Sequence, residues 1–315
     1  MNDRVTSVSN APTALFLMAH GAPTSVEDIP LYLKNIRGGT ESSPEVVQLI
    51  RERYECIGGR SPLLDITRGQ AQALEKFLNQ EKQDFRVYYA MRNWRPYIQD
   101  VVREMVAEGT KRVLALCLAP QYSTWSTERY FKSFRDALSQ CGAEDLEVRY
   151  ISSWTDHPRL IDAFVEKYEA ALDRLRQLGR DRVYTIFTVH SIPAFSLEEG
   201  DPYAEEYEKT VRLIVDRVRP YRWFMAYQSQ GMIPVPWLGP PVESVLDKIA
   251  RLGPRTVLVV PVGFVSDHIE ILYDIDIRFK EYAQTRNLDL HRTESMNLSP
   301  VFIESLAAVA WEHLL

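Results

Sequence analysis

The sequence predicts an α/β protein of two Rossmann-like halves, each a parallel sheet flanked by helices, with a cleft between them. Three observations carry that expectation. Seven apolar, strand-like runs recur along the chain, most of them followed by an amphipathic segment, the alternation expected of parallel β–α–β units. The series splits into two similar sets near Cys141–Leu146. The composition, 315 residues with 45% hydrophobic and 25% charged, is that of a globular chain long enough for a large or bilobal core.

In the first set the runs are ALFLMAH, FRVYYAMR and RVLALCLAP, and helical patterns span Pro44–Tyr54, Thr67–Gln80, Pro96–Glu108 and Thr127–Gln140. In the second set LEVRYISSW, RVYTIFTVHS, RWFMAYQS and TVLVVPVGF alternate with the patterns Pro158–Leu178 and Tyr203–Val218. The run Val257–Val262 is so dense in β-branched residues that it predicts a strand buried on both faces. Ser299-Pro300 offers an N-cap and first helical residue for a final helix. These signals divide the chain into an N-terminal half, 1–145, a C-terminal half, 146–298, and a last helix, 299–315, packing back on the body.

Several function classes are excluded. A formal charge of −6 without any basic run argues against a nucleic-acid surface. No G-x-G-x-x-G follows a strand and no Walker A motif occurs, so a dinucleotide or nucleotide is not indicated. Cys56, Cys117 and Cys141 lack C-x-x-C spacing, which excludes an iron–sulfur cluster held by four thiolates of one chain. The first dozen residues are polar, and no apolar stretch approaches the roughly 18 residues of a membrane span, so a cytoplasmic location is expected.

The chemistry gathers where strands end. The runs finish in His20-Gly21, Arg92, Gln121-Tyr122-Ser123, His190-Ser191 and Gln228-Ser229-Gln230. The run from Val257 passes Gly263 into Asp267, His268, Glu270 and Asp274 within about two helical turns. Ligands of open α/β sheets bind at the carboxyl ends of strands. A lone histidine there is more often structural. Two in equivalent places, with a glutamate at a third, point to a cation- or proton-handling site. If a helix starts near Asp267, Glu270 and Asp274 share one of its faces, and Asp267 is its candidate cap.

Five motifs stand in one order along the chain: GGRSPLLDIT from Gly58, LAPQYSTWSTERY from Leu118, VHSIP from Val189, YQSQGMIPVPWLGP from Tyr227, and GFVSDHIE from Gly263. In these the chain resembles the ferrochelatases, which insert ferrous iron into a porphyrin, nearly end to end. The resemblance implies a chelatase-like cleft across which His190 and Glu270 face each other as the metal-handling, proton-accepting pair, with Asp274 as an accessory acid. Relatives often carry another acid one turn on, where this chain has Arg278. Fe2+ is then a substrate, and no tightly bound cofactor is expected.

The short, charged stretch Asn35–Glu55 resembles that of soluble coproporphyrin-type ferrochelatases. It implies that Arg37, Arg53, Tyr54 and Ser61 meet propionate carboxylates, with Tyr130 a further substrate contact. Such relatives usually carry tyrosine in place of His20. Imidazole also binds iron, so His20 is expected to be axial to the product iron. Trp237 is expected to line the macrocycle. The expected partners are coproporphyrin III and Fe2+, with no nucleic acid, and the chain acting as a monomer. The alternatives are a protoporphyrin IX ferrochelatase, a sirohydrochlorin-type cobalt or iron chelatase, and a tetrapyrrole carrier without turnover.

Overall fold

The computed structural model of the protein describes residues 13–81, 84–231, 233–253 and 255–314. The polar N-terminal dozen behind the expectation of no leader segment lies outside the described residues. In chain order the first sheet and its helices comprise β1 (Thr13–Ala19), α1 (Ile29–Ile36), α2 (Pro44–Cys56), α3 (Leu63–Leu78), β2 (Phe85–Met91), α4 (Ile98–Ala107), β3 (Arg112–Cys117), α5 (Thr127–Gln140) and β4 (Glu147–Ile151). There follow α6 (Pro158–Gln177), β5 (Val183–His190), α7 (Phe195–Glu198), α8 (Tyr203–Val218), β6 (Arg222–Gln228), α9 (Val242–Ala250) and β7 (Thr256–Pro261). Last come α10 (Ile269–Leu272), a π-helical stretch Asp274–Phe279, α11 (Lys280–Thr285), β8 (Asp289–Arg292) and α12 (Pro300–Glu312).

The strands form two parallel four-stranded sheets of the same design, β2-β1-β3-β4 and β6-β5-β7-β8. Each sheet begins with the second strand of its half, so β1 is the counterpart of β5 and β3 of β7. One boundary is corrected. β4 pairs with β3, from Arg112↔Glu147 to Leu116↔Ile151, so the first sheet extends to Ile151 and does not stop at residue 145. The short loop before β4 looks like a linker in sequence, but pairing with a neighbour decides sheet membership. Strand β8 was missed because DLHR contains a single apolar residue among polar ones.

Side-chain alternation explains the unbroken apolar runs. In β1, Leu15 and Leu17 face the space between the sheets, and Ala14, Phe16 and Met18 face the outer helices. In β7, Leu258 and Val260 point inward, and Val257 and Val259 outward. The inner faces of both sheets share one core with Leu74 of α3, Phe164 of α6, Val211 of α8 and Phe302 of α12. Helix α12 packs on both α3 and α6. A core common to both sheets fixes the halves relative to each other, since repacking it would open cavities on both sides.

Polar contacts continue that junction toward the carboxyl ends of the strands. Gln70 Nε2 donates to Ser266 Oγ at 3.0 Å and to the Asn297 carbonyl at 2.9 Å. Gln121 Nε2 donates to Thr210 Oγ1 at 3.2 Å and to the Val262 carbonyl at 3.3 Å. The carboxylate of Asp201, just before α8, accepts from Ser123 Oγ at 2.8 Å and Thr124 Oγ1 at 2.7 Å. Gly263 lets the chain leave β7 across the end of β5. A Cβ there would stand 3.0 Å from Val189 Cβ and 3.1 Å from its Cα, beside His190.

Candidate active site

His190 is the last residue of β5. Its Nδ1 hydrogen bonds to the Ser191 carbonyl, and the hydroxyl of Tyr203 donates to the carbonyl of His190 itself at 3.0 Å. With Nδ1–H committed, Nε2 is the free end of the ring. It faces Glu270 Oε1 at 3.4 Å. His268 repeats the arrangement: its Nδ1 donates to the Ser266 carbonyl at 2.9 Å, and its Nε2 faces Glu270 Oε2 at 3.5 Å. Glu270 therefore holds one imidazole at each oxygen. Gln228, at the end of β6, fixes the backbone beneath by donating to the Glu270 carbonyl at 2.9 Å, while its own oxygen accepts from Thr188.

Both members of the His190–Glu270 pair are displaced from their ordinary values. Burial works to lower the His190 pKa, but the Glu270 charge and hydrogen bond outweigh it and the net shift is upward. Burial works to raise the Glu270 pKa, and His190 with His268 holds it well below the usual carboxylate range. The two shifts have one cause, the mutual stabilisation of a protonated imidazole and an ionised carboxylate. Among the described residues no three His, Cys, Asp or Glu side chains form a metal cage. The cluster is closed on itself by ion pairing.

His20, at the end of β1, stands on the opposite wall. Its Nδ1 donates to the Gly21 carbonyl at 3.1 Å, and Asn93 Nδ2 donates to its Nε2 at 3.1 Å. Tyr32 Oη lies 3.2 Å from Nδ1. The ring keeps exposed surface, but that surface opens into the cleft, and desolvation by the surrounding protein lowers its pKa. His20 is therefore held neutral in one tautomer. Glu270 is near enough for its charge to act on His20, Tyr32, Tyr54, Tyr130 and Tyr203, so the strand ends of the two sheets converge on one space.

Asp274 is buried one turn beyond Glu270, accepts a hydrogen bond from Ser229, and pairs with Arg278 Nη1 at 3.6 Å. Burial raises its pKa, against the opposing charge of Arg278. Arg278 also reaches Glu243 at 3.2 Å. A cation therefore stands where a further acid would extend the track. Asp267 is corrected. The short helix starts at Ile269 with His268 as its cap residue and no side-chain cap. Asp267 instead accepts from Ser295 Oγ at 2.7 Å and Asn297 Nδ2 at 2.8 Å, and pairs with Arg292 at 3.3 Å. Groups brought from beyond β8 outcompete the local backbone for its oxygens, and no sequence spacing reveals them.

The other expected contacts are placed unevenly. Arg53 lies in the last turn of α2 with its guanidinium over the Tyr273 ring at 5.5 Å, and its charge reaches Asp274. Tyr130 is buried in the α5 wall, with Arg92 over its ring at 5.7 Å. Trp237 lies 6.5 Å from the His190 ring, centroid to centroid. Tyr54 is 1% exposed and packs with Ile29 and Leu33 behind the wall, its hydroxyl without a hydrogen-bond partner among the described residues. Ser61 is buried, and its Oγ accepts from the Leu63 amide at 3.3 Å, at the start of α3. Arg37 is exposed, with Nη1 donating to Ser42 Oγ at 3.1 Å, and is not brought to the others. The sequence reasoning had left His268, Asn93, Tyr32 and Tyr203 without roles. Only His268 carried a signal, two residues before Glu270.

A neutral imidazole on one wall, facing an imidazole–carboxylate cluster at the strand ends of two like sheets, is the architecture of a chelatase. The fold agrees: the sirohydrochlorin chelatase SirB from Bacillus subtilis subspecies spizizenii, solved in complex with cobalt, superposes with a TM-score of 0.58 over 96% of this chain and 94% of that one, at 10% identity. The family model for Ferrochelatase matches residues 12–314, and the chain belongs to the ferrochelatase family. A ferrochelatase of Deinococcus radiodurans is 36% identical over 306 residues, 96% of each chain. A coproporphyrin III ferrochelatase of a Geobacillus species is 35% identical over 303 residues, covering 95% of this chain and 97% of that one.

Proposed function

We propose that this protein inserts Fe2+ into coproporphyrin III, giving iron coproporphyrin III and two protons, with His190 and Glu270 as the reacting pair. The observation that carries the reading is the geometry around Glu270, whose two oxygens meet the Nε2 atoms of His190 and His268 across from His20. Two pyrrole N–H protons leave as the metal enters, so a base must stand beside the ring. The Nδ1 proton of His190 is tied to Ser191, so a substrate proton is taken at Nε2 or on Glu270. The raised His190 pKa sets the condition for that step: Nε2 accepts a proton only in the neutral imidazole, which is favoured as pH rises.

The tetracarboxylate substrate is supported by the charged stretch Asn35–Glu55 with Arg53 beside the site, and by the coproporphyrin III ferrochelatase names among relatives at about 35% identity. Ser61 and Tyr130 are proposed as further substrate contacts and Asp274 as the route by which cation or protons pass, whereas exposed Arg37 and Tyr54 behind the wall are left out. Both walls of the site come from one chain, which supports action as a monomer. Among the described residues no helix is long and apolar enough to cross a membrane.

The test gives purified protein Fe2+, Co2+ or Zn2+ with coproporphyrin III, protoporphyrin IX or sirohydrochlorin, and follows metallation by absorbance. Fe2+ with coproporphyrin III should turn over fastest. Faster protoporphyrin turnover would overturn the substrate, faster sirohydrochlorin turnover would point to the other chelatase class, and tight binding without metallation would indicate a carrier.

His20 is proposed as the axial ligand of the product iron. It is held neutral, and its Nε2 lone pair is occupied only by Asn93, a hydrogen bond that coordination would replace. His20→Tyr should preserve metallation and shift the product's Soret and charge-transfer bands. Identical spectra for the two proteins would show that His20 does not reach the iron.

A further inference from the structure

Arg92 and Arg129 have no part in the reading above. Arg92 follows β2 on the wall that carries His20, and Arg129 lies in the first turn of α5. Each guanidinium is stacked on an aromatic ring, Arg92 over Tyr130 at 5.7 Å and Arg129 over Trp125 at 4.4 Å. Among the described residues neither makes an ion pair or a side-chain hydrogen bond. By contrast, Arg86, Arg135, Arg286 and Arg292 each rest on a carboxylate.

Several influences work against the charge of Arg129. Desolvation lowers the Arg129 pKa first, and the charge of Arg92 lowers it further. A cation in the first turn of a fourteen-residue helix also opposes the helix dipole. The neighbouring acid offers no relief, because Glu128 is turned to Arg135 and to Tyr122 Oη at 3.4 Å. Two guanidinium groups on neighbouring aromatic faces, with no ion pair among the described residues, leave N–H donors free for a carboxylate. Tyr130 lies beneath Arg92, and the charge of Arg92 is felt at His20, so an anion bound here would border the macrocycle space. Arg53, by contrast, sits beside Tyr273 and Asp274, on the wall of Glu270.

We propose that Arg92 and Arg129 form a second carboxylate clamp, which takes a propionate of the porphyrin on the α5 wall while Arg53 serves the opposite side. The inference rests on the proposed porphyrin substrate. Two clamps on different walls suit a macrocycle with carboxylates around its whole rim better than one with them along a single edge.

The test is a fluorescence-quenching titration of metal-free coproporphyrin III into wild type, R92M, R129M, R92K and R129K, at low and high salt, with melting temperatures measured alongside. Each Met variant should weaken binding by about tenfold, the loss of one charge-assisted hydrogen-bonded contact. Each Lys variant should recover part of the loss, and the Met variants should show a shallower salt dependence than wild type. Unchanged affinity in both Met variants, or a loss that Lys does not recover at all, overturns the clamp. Wild type that fails to bind coproporphyrin III sinks the substrate reading and the clamp with it. Wild type that binds it no better than the Met variants sinks the clamp alone.

Discussion

His190→Ala should lower the rate of iron insertion by about 10²–10⁴-fold, the range for removing a positioned general acid–base group, while coproporphyrin III still binds. The expectation follows from how little else can do the work. His268 also faces Glu270, but from the opposite oxygen, with its Nδ1 tied to Ser266. His20 is engaged with Gly21 and Asn93 on the far wall. Removing His190 leaves Glu270 without the partner that holds its first oxygen and empties the end of β5 nearest Trp237. The measurement is anaerobic metallation at saturating Fe2+, paired with a porphyrin titration. A His190→Ala protein within about threefold of the wild-type rate would remove this histidine from the chemistry.

Glu270→Gln should cost about 10²-fold in rate and should move the acid limb of the pH–rate profile to lower pH. The sign follows from the causes of the His190 shift. Burial pushes its pKa down, and the Glu270 charge more than reverses that push. In wild type the neutral, proton-accepting imidazole is lost as pH falls through a value above that of an ordinary histidine. With glutamine at 270 the depressing effect of burial is left, so the residual activity persists to lower pH. Profiles of kcat/KM for the two proteins, taken from about pH 5 to about pH 9 where imidazole titrates, make the comparison. Coincident acid limbs would mean that the limb reports a group other than His190.

Much of this protein was legible because its signals are local and repeated. The seven apolar runs became seven strands, most plainly β1, β3, β5 and β7, which are buried on both faces and so need a nearly unbroken apolar sequence. The helix Thr127–Gln140 runs between the residues its periodicity implied, and the helix expected over Pro158–Leu178 runs to Gln177. His190 and Glu270 were selected from strand ends, and the structure brings them to 3.4 Å, side by side beyond the paired strands β5 and β7 and not facing across the cleft. What failed was where long-range partners decide. Asp267 looked like a cap because Glu270 follows three residues later, but Ser295, Asn297 and Arg292 take its oxygens. Strand β8 is too short and polar to announce itself, and exists because β7 offers it an edge at Thr256↔Asp289.

By itself, then, the sequence determined the alternation of strands and helices, the polar endings of the strands and the family, because each depends on residues close together or on motifs in order. Only the tertiary structure decided what those endings do to one another. Glu270 is shared by two imidazoles, His20 is held neutral by Asn93 and Gly21, and Arg92 and Arg129 stand together without an acid. The physical reason is that a charge is tuned by whatever lies within a few ångströms of it. Residue 190 meets 268 and 270 only when β5 pairs with β7, and 92 comes near 129 only when α5 packs on the first sheet.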